Sequence, residues 1–146
     1  MSRLDLAALA ALLWSSPSLA ETAPAASLEI TVTGARAATG LIRVALCPAG
    51  AKFPDCGARA VRTVSVPVSG GGGKVVLTGL IPGAYAVSVF HDANSNGKLD
   101  TFAGIPREGY GFSRNPPFRP RAPRFNEAEI AISGESHAGI KLKYIL

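Results

Sequence analysis

The chain has 146 residues, with 15 Lys and Arg against 10 Asp and Glu, a formal net charge of +5. The length sets one domain that can bury a core without further staples, and leaves no room for a multidomain arrangement. The basic balance comes largely from Arg107, Arg114, Arg119, Arg121 and Arg124 in one Pro-rich segment, and the export signal described next argues against nucleic acid as the partner.

Residues 1–20 read as a secretory signal peptide. Arg3 supplies a short positive region, weakened by Asp5, and Leu6 to Trp14 form an apolar stretch too short to span a bilayer. Ser18-Leu19-Ala20 places small residues where a signal peptidase needs them, so cleavage is expected after Ala20, with Ala23 and Ala26 as alternatives. A periplasmic or secreted location follows. Residues 21–27 read as a short linker and 28–146 as one domain, with no later apolar stretch long enough to be transmembrane.

The remainder reads as all-β. Short runs rich in Val, Ile, Leu and Thr are punctuated by Gly, Pro, Asn and Asp, which predicts strands at Leu28–Thr33, Leu41–Cys47, Val61–Val68, Lys74–Leu80, Ala84–His91, Ala128–Ser133 and Ala138–Tyr144. Leu28, Ile30 and Val32 alternate with Glu29, Thr31 and Thr33. Ile42, Val44 and Leu46 alternate with Arg43 and Ala45, and Ile140, Leu142 and Tyr144 with Lys141 and Lys143. Period-two alternation puts one face on a core and the other in water. About seven short antiparallel strands in such a length predict a two-layer β-sandwich, immunoglobulin-like or prealbumin-like.

The connections carry their own signals. Cys47 and Cys56 are the chain's two cysteines, and in an oxidising compartment they are expected to form one disulfide closing the loop CPAGAKFPDC. Their spacing matches neither a redox CxxC motif nor a zinc knuckle. The four glycines Gly70 to Gly73 read as a hairpin turn, since a strand and not a helix follows them. Pro82-Gly83 is a turn signal ahead of the fifth strand, which delivers His91 and Asp92 to its end.

The segment after that strand, HDANSNGKLD, is the most informative in the chain. Asp92, Asn94, Asn96 and Asp100 fall at positions 1, 3, 5 and 9 of a calcium loop, and Gly97 occupies the sharp-turn position 6. Lys98 at position 7 would offer its backbone carbonyl. The all-oxygen set favours calcium over zinc or copper. Position 12, which calls for a bidentate Glu, is Ala103, and Glu108 replaces it if GIPREGYG folds back. The competing reading is a polar hairpin turn, which Asn96-Gly97 signals by itself.

Two further readings concern the same region. His91, Asp92 and Glu108 supply the residue types of an acid–base set for a small hydrolase. Yet Ser88, Ser95 and Ser113 lie in no nucleophile motif, so the expectation is a non-enzymatic protein. The long irregular stretch Gly104 to Pro123 is expected to pack over the acidic loop through Phe102, Ile105, Tyr110 and Phe112. Its arginines, within residues 114–124, are a candidate grip on an anionic glycan or another envelope component.

LIPGAYAVSVFHDANSNGKLD, GIPREGYGFSRN and APRFNEAEIAI together resemble the bacterial family called domain of unknown function 2141. The likeness covers about Leu28 to Leu146 and singles out His91, Asp92, Asn94, Asn96, Gly97, Asp100, Pro106, Glu108, Gly109, Tyr110 and Phe112. It implies an exported β-sandwich module of prealbumin-like or carboxypeptidase-regulatory-like type, and no particular activity. The family often has an acidic residue where this chain has Ala93, a position whose side chain would point away from a metal. The Cys47/Cys56 pair occurs in only some members, as a local staple would.

Overall fold

A computed structural model describes residues 16–20, 22 and 24–146. The predicted signal segment falls mostly on residues 1–15, outside the described residues. Among the described residues no helix is long and apolar enough to cross a membrane.

Each of the seven predicted runs overlaps a strand. These are β1 (Ala26–Thr33), β2 (Leu41–Pro48), β3 (Arg62–Pro67), β4 (Gly72–Leu80), β5 (Gly83–Asp92), β9 (Glu129–Ile132) and β10 (Glu135–Lys141). Three short strands were not predicted: β6 (Thr101–Phe102) just before the stretch read as irregular, and β7 (Ile105–Pro106) and β8 (Tyr110–Phe112) inside it. A four-residue helix, α1 (Phe125–Ala128), precedes β9. The first strand begins at Ala26, inside the segment predicted as linker, because Ala26 is itself buried.

The chain is an all-β sandwich. One sheet has the order β10-β1-β4, and the other β3-β2-β5-β8 with β9 also paired to β5. The alternation read from the sequence is what closes the two layers. Leu28, Ile30 and Val32 of β1, Val75 and Leu77 of β4 and Ile140 of β10 meet Ile42, Val44 and Leu46 of β2 and Val87 and Val89 of β5 in one apolar cluster. Tyr85 joins it with its hydroxyl donating to the Ile81 carbonyl at 2.5 Å, so the Pro-Gly turn is tied to the strand it starts.

One pair departs from the antiparallel pattern: β1 and β10 run parallel. β9 belongs to the second sheet, antiparallel to β5, and Gly134 at φ 56° then turns the chain across to the first sheet. That crossing, not a hairpin, sets the direction of β10. Residues beyond it reach back, and Tyr110 and Lys143 exchange backbone hydrogen bonds at 3.0 and 2.8 Å. This places the last predicted strand three residues earlier than its alternation suggested.

The ten-residue strand β5 positions the site. It pairs with β2 along one side, from Leu41↔Asp92 to Pro48↔Tyr85. On the other side its first half pairs with β9 and its second half with β8. Its last two residues, His91 and Asp92, are therefore held in a sheet interior even though a loop follows.

Candidate functional site

Successive residues of a strand point to opposite faces, and the end of β5 uses both. His91 turns inward and is 2% exposed. Its Nε2 lies 2.7 Å from the Thr39 carbonyl, which can only accept, so Nε2 carries the proton. Its Nδ1 then accepts from the Tyr144 hydroxyl at 2.9 Å. Tyr144 can come this close because residue 109 is glycine. A Cβ on Gly109 would stand 2.3 Å from the Tyr144 Cζ. The Gly109 carbonyl also accepts the His91 N–H at 2.8 Å.

Asp92 turns the other way and is fully buried. Its Oδ2 accepts from Arg43 Nε at 2.5 Å and from the Gly97 N–H at 2.9 Å, and its Oδ1 accepts the Asn96 N–H at 3.0 Å. Burial alone would raise the Asp92 carboxyl. The Arg43 hydrogen bond and the N–H groups of Gly97 and Asn96 outweigh it and hold the carboxyl below its ordinary value. Arg43 is a residue the sequence reading passed over. It occupies a polar position of β2, and its partner lies 49 residues on, so no local pattern marks it.

The loop after Asp92 folds on its own side chains. The Asn94 Oδ1 accepts the Asn96 N–H at 3.2 Å, and the Asn96 Oδ1 accepts the Lys98 N–H at 2.9 Å. The amide nitrogens of both asparagines donate to one carboxylate: Asn94 Nδ2 to Asp100 Oδ2 at 2.7 Å, and Asn96 Nδ2 to Asp100 Oδ1 at 2.8 Å. Gly97 takes φ 82°, a left-handed conformation that side-chain-bearing residues adopt at a cost. Asn94, Asn96 and Asp100, expected to share a site, are thus in direct contact.

Glu108 does fold back. Its Oε1 accepts the Ala93 N–H at 3.0 Å and its Oε2 accepts the Asp100 N–H at 2.9 Å, which closes the loop at both ends. Glu108 is 8% exposed. Ala103, at the position where a calcium loop carries its bidentate Glu, sits instead in the turn of the β6–β7 hairpin, with Ala103 at φ 50° and Gly104 at φ 77°. The predicted apolar packing over the loop is replaced by this polar clasp: Phe102 and Ile105 are exposed, and Tyr110 and Phe112 belong to the sheet.

Among the described residues no three His, Cys, Asp or Glu side chains gather into a metal-holding group. An oxygen site here therefore depends on the two asparagine amides. The acid–base set is not assembled, since His91 and Asp92 leave β5 on opposite faces and both imidazole nitrogens are engaged.

The cysteines are joined, Cys47 to Cys56, and pack with Ala51 and Phe53 in a second small apolar cluster. Phe53 extends it by edge contacts with Phe112 and Phe125 at 5.7 and 6.2 Å. In the Arg-rich segment, Arg121 forks onto Glu127 at 2.8 and 3.0 Å, with Arg119 at 3.6 Å. Arg121 and the Arg124 N–H hold the Glu127 carboxyl down at about 2. Two of the arginines proposed to grip an anion are therefore already partnered.

The family model described as "Uncharacterized protein conserved in bacteria (DUF2141)" matches residues 30–139, which cover most of the sandwich and all of the loop from Asp92 to Glu108. No curated protein and no solved structure matches the chain.

Proposed function

The chain belongs to the DUF2141 family, and on that premise we propose that it is an exported, non-enzymatic β-sandwich module of the cell envelope whose Asp92–Asp100 loop binds calcium. The carrying observation is the convergence of the Asn94 and Asn96 amides on the Asp100 carboxylate. An amide presents an oxygen in place of its nitrogen by a half-turn of its terminal torsion. That rotation trades two N–H donors for two oxygens beside Asp100, at the cost of the hydrogen bonds to the Asn96 and Lys98 N–H groups. Asp100, Asn94, Asn96 and the Lys98 carbonyl would hold the ion.

Glu108 accepts one N–H on each oxygen and Asp92 accepts one on Oδ1, so these three oxygens each keep a further lone pair for a cation, while Asp92 Oδ2 is taken by Arg43 and Gly97. With few carboxylates in the set, the affinity belongs to the weak extracellular range of about 10⁻⁴–10⁻³ M. The disulfide supports export, because such bonds persist in oxidising compartments. The opposite orientations of His91 and Asp92 support the non-enzymatic part of the reading.

Calorimetric titration tests the calcium reading. One ion per chain is expected to bind at millimolar concentration, and Asp100→Asn is expected to abolish binding while leaving the fold intact. At 10 times its dissociation constant, calcium would stabilise the fold by about 1.4 kcal/mol. Absence of binding heat at 10 mM calcium, together with an unchanged melting temperature, would sink the proposal.

A further inference from the structure

The outer face of the five-stranded sheet should face water, yet it is walled. In register across the strands, Ala45, Ser88 and Phe112 form one row and Arg43, Phe90 and Tyr110 the next. The disulfide loop rises on one side of this floor. The proline-rich segment 115–123 rises on another, and Leu99 and Ile105 come from the region of the acidic loop. The result is a cleft of about 880 Å³. Burial pushes the Tyr110 hydroxyl up, as a dry floor would.

Three observations define what fits. The floor and walls are mostly apolar, and Ile105, Phe118 and Ile145 line the cleft while being 40%, 64% and 42% exposed. Apolar surface exposed around a concavity marks a binding site more often than chance placement. The charges at the cleft are Lys98, Arg119, Arg121, Lys141 and Lys143 against Asp55 and Glu127, and Glu127 is occupied by the two arginines. Among the described residues, Lys98 is exposed and paired with no carboxylate, and the Lys143 Nζ reaches the cleft wall at the Pro116 carbonyl, 2.6 Å away. The volume lies in the range of small-molecule pockets, roughly 300–1,000 Å³, whereas a protein partner uses a broad and flatter patch.

We propose that this cleft binds a single-chain anionic amphiphile, its hydrocarbon tail on the Phe90–Tyr110–Phe112 floor between Ile105 and Phe118 and its acidic head at the basic rim, at Lys98. A glycan would find few hydrogen-bonding side chains on such a floor. A cationic amphiphile would meet the wrong rim. The proposal does not rest on the metal reading.

Calorimetric titration with monomeric sodium dodecanoate tests it, with sodium acetate and dodecyltrimethylammonium as controls. One dodecanoate per chain is expected. Acetate should give no heat, and the cationic amphiphile should bind at least about tenfold more weakly. Phe118→Asp, Ile105→Asp and Lys98→Glu should each weaken dodecanoate binding about tenfold or more, with circular dichroism unchanged because these side chains are exposed. The proposal is overturned by non-saturable dodecanoate binding, or by wild-type affinity in the Phe118 and Ile105 variants. It is equally overturned if sedimentation shows a dimer that Phe118→Asp dissolves, which would make a second copy the occupant. Binding to phosphatidylglycerol vesicles without binding of monomeric dodecanoate would assign the face to a membrane surface and also refute it.

Discussion

Asp92→Asn isolates what the buried carboxylate does. The substitution keeps the shape and one acceptor oxygen, but removes the charge that faces Arg43 Nε and turns one of two acceptors into a donor. That donor must then face Arg43 or the N–H groups of Asn96 and Gly97. Breaking a buried pair costs about 3–5 kcal/mol. Arg43 is 28% exposed while Asp92 is fully buried, so water partly recovers the arginine and the lower end, about 3 kcal/mol, applies. For a sandwich of this size that corresponds to a melting temperature lower by roughly 12 °C. The assay is urea unfolding of both proteins with chelator present, which removes any metal contribution.

A pH series then tests the cause. The Asp92 carboxyl is held below its ordinary 3.8, so its contribution is fully present above that value and is lost as pH falls through the lower folded value. The wild-type advantage should thus be constant from pH 7 to about 5 and decline once pH falls below 3.8. A loss below about 1 kcal/mol at pH 7, or an advantage that persists unchanged at pH 2, would refute the ion-pair account.

Gly109→Ala should drive a methyl group into the Tyr144 ring and cost about 1–3 kcal/mol, read by thermal unfolding. The double variant Gly109→Ala/Tyr144→Leu should lose less than the sum of the single changes if the clash is the cause. Replacing both Cys47 and Cys56 by Ser should cost about 2–3 kcal/mol in urea unfolding, from the entropy of the loop the bond closes. A reductant should then have no further effect on that variant.

The strands were legible because each buries one face, and a period of two is hard to produce otherwise. Leu28, Ile30 and Val32 announce both their strand and its inward side. What the alternation does not contain is partner choice. Nothing in ESHAGIK states that it lies parallel to β1, since the direction follows from a crossing at Gly134. The candidate loop was legible in its ligand order and in the return of Glu108. Its two strongest anchors were not. Arg43 reaches Asp92 across 49 residues and Tyr144 reaches His91 across 53, and each looks locally like an ordinary residue of an alternating strand. The strands at 101–102, 105–106 and 110–112 went unpredicted because strands of two and three residues carry no measurable period.

The GIPREGYGFS segment shows why the loop and the sheet behave as one unit. Glu108 holds the loop, Gly109 admits Tyr144, Tyr110 and Phe112 pair with β5, and Ser113 accepts the Val87 N–H at 2.9 Å while donating to the Ala128 carbonyl at 2.5 Å. The segment therefore spans from the loop to the middle of β5 with a partner at nearly every residue. Asp92 and His91 pin the end of β5 from its two faces at the same place. A loop anchored this way is shaped before any ion arrives. Calcium would then have only the Asn94 and Asn96 amides to turn, and its binding should change the hydrogen exchange of the N–H groups of residues 94–98 while leaving β5 and β2 unaltered.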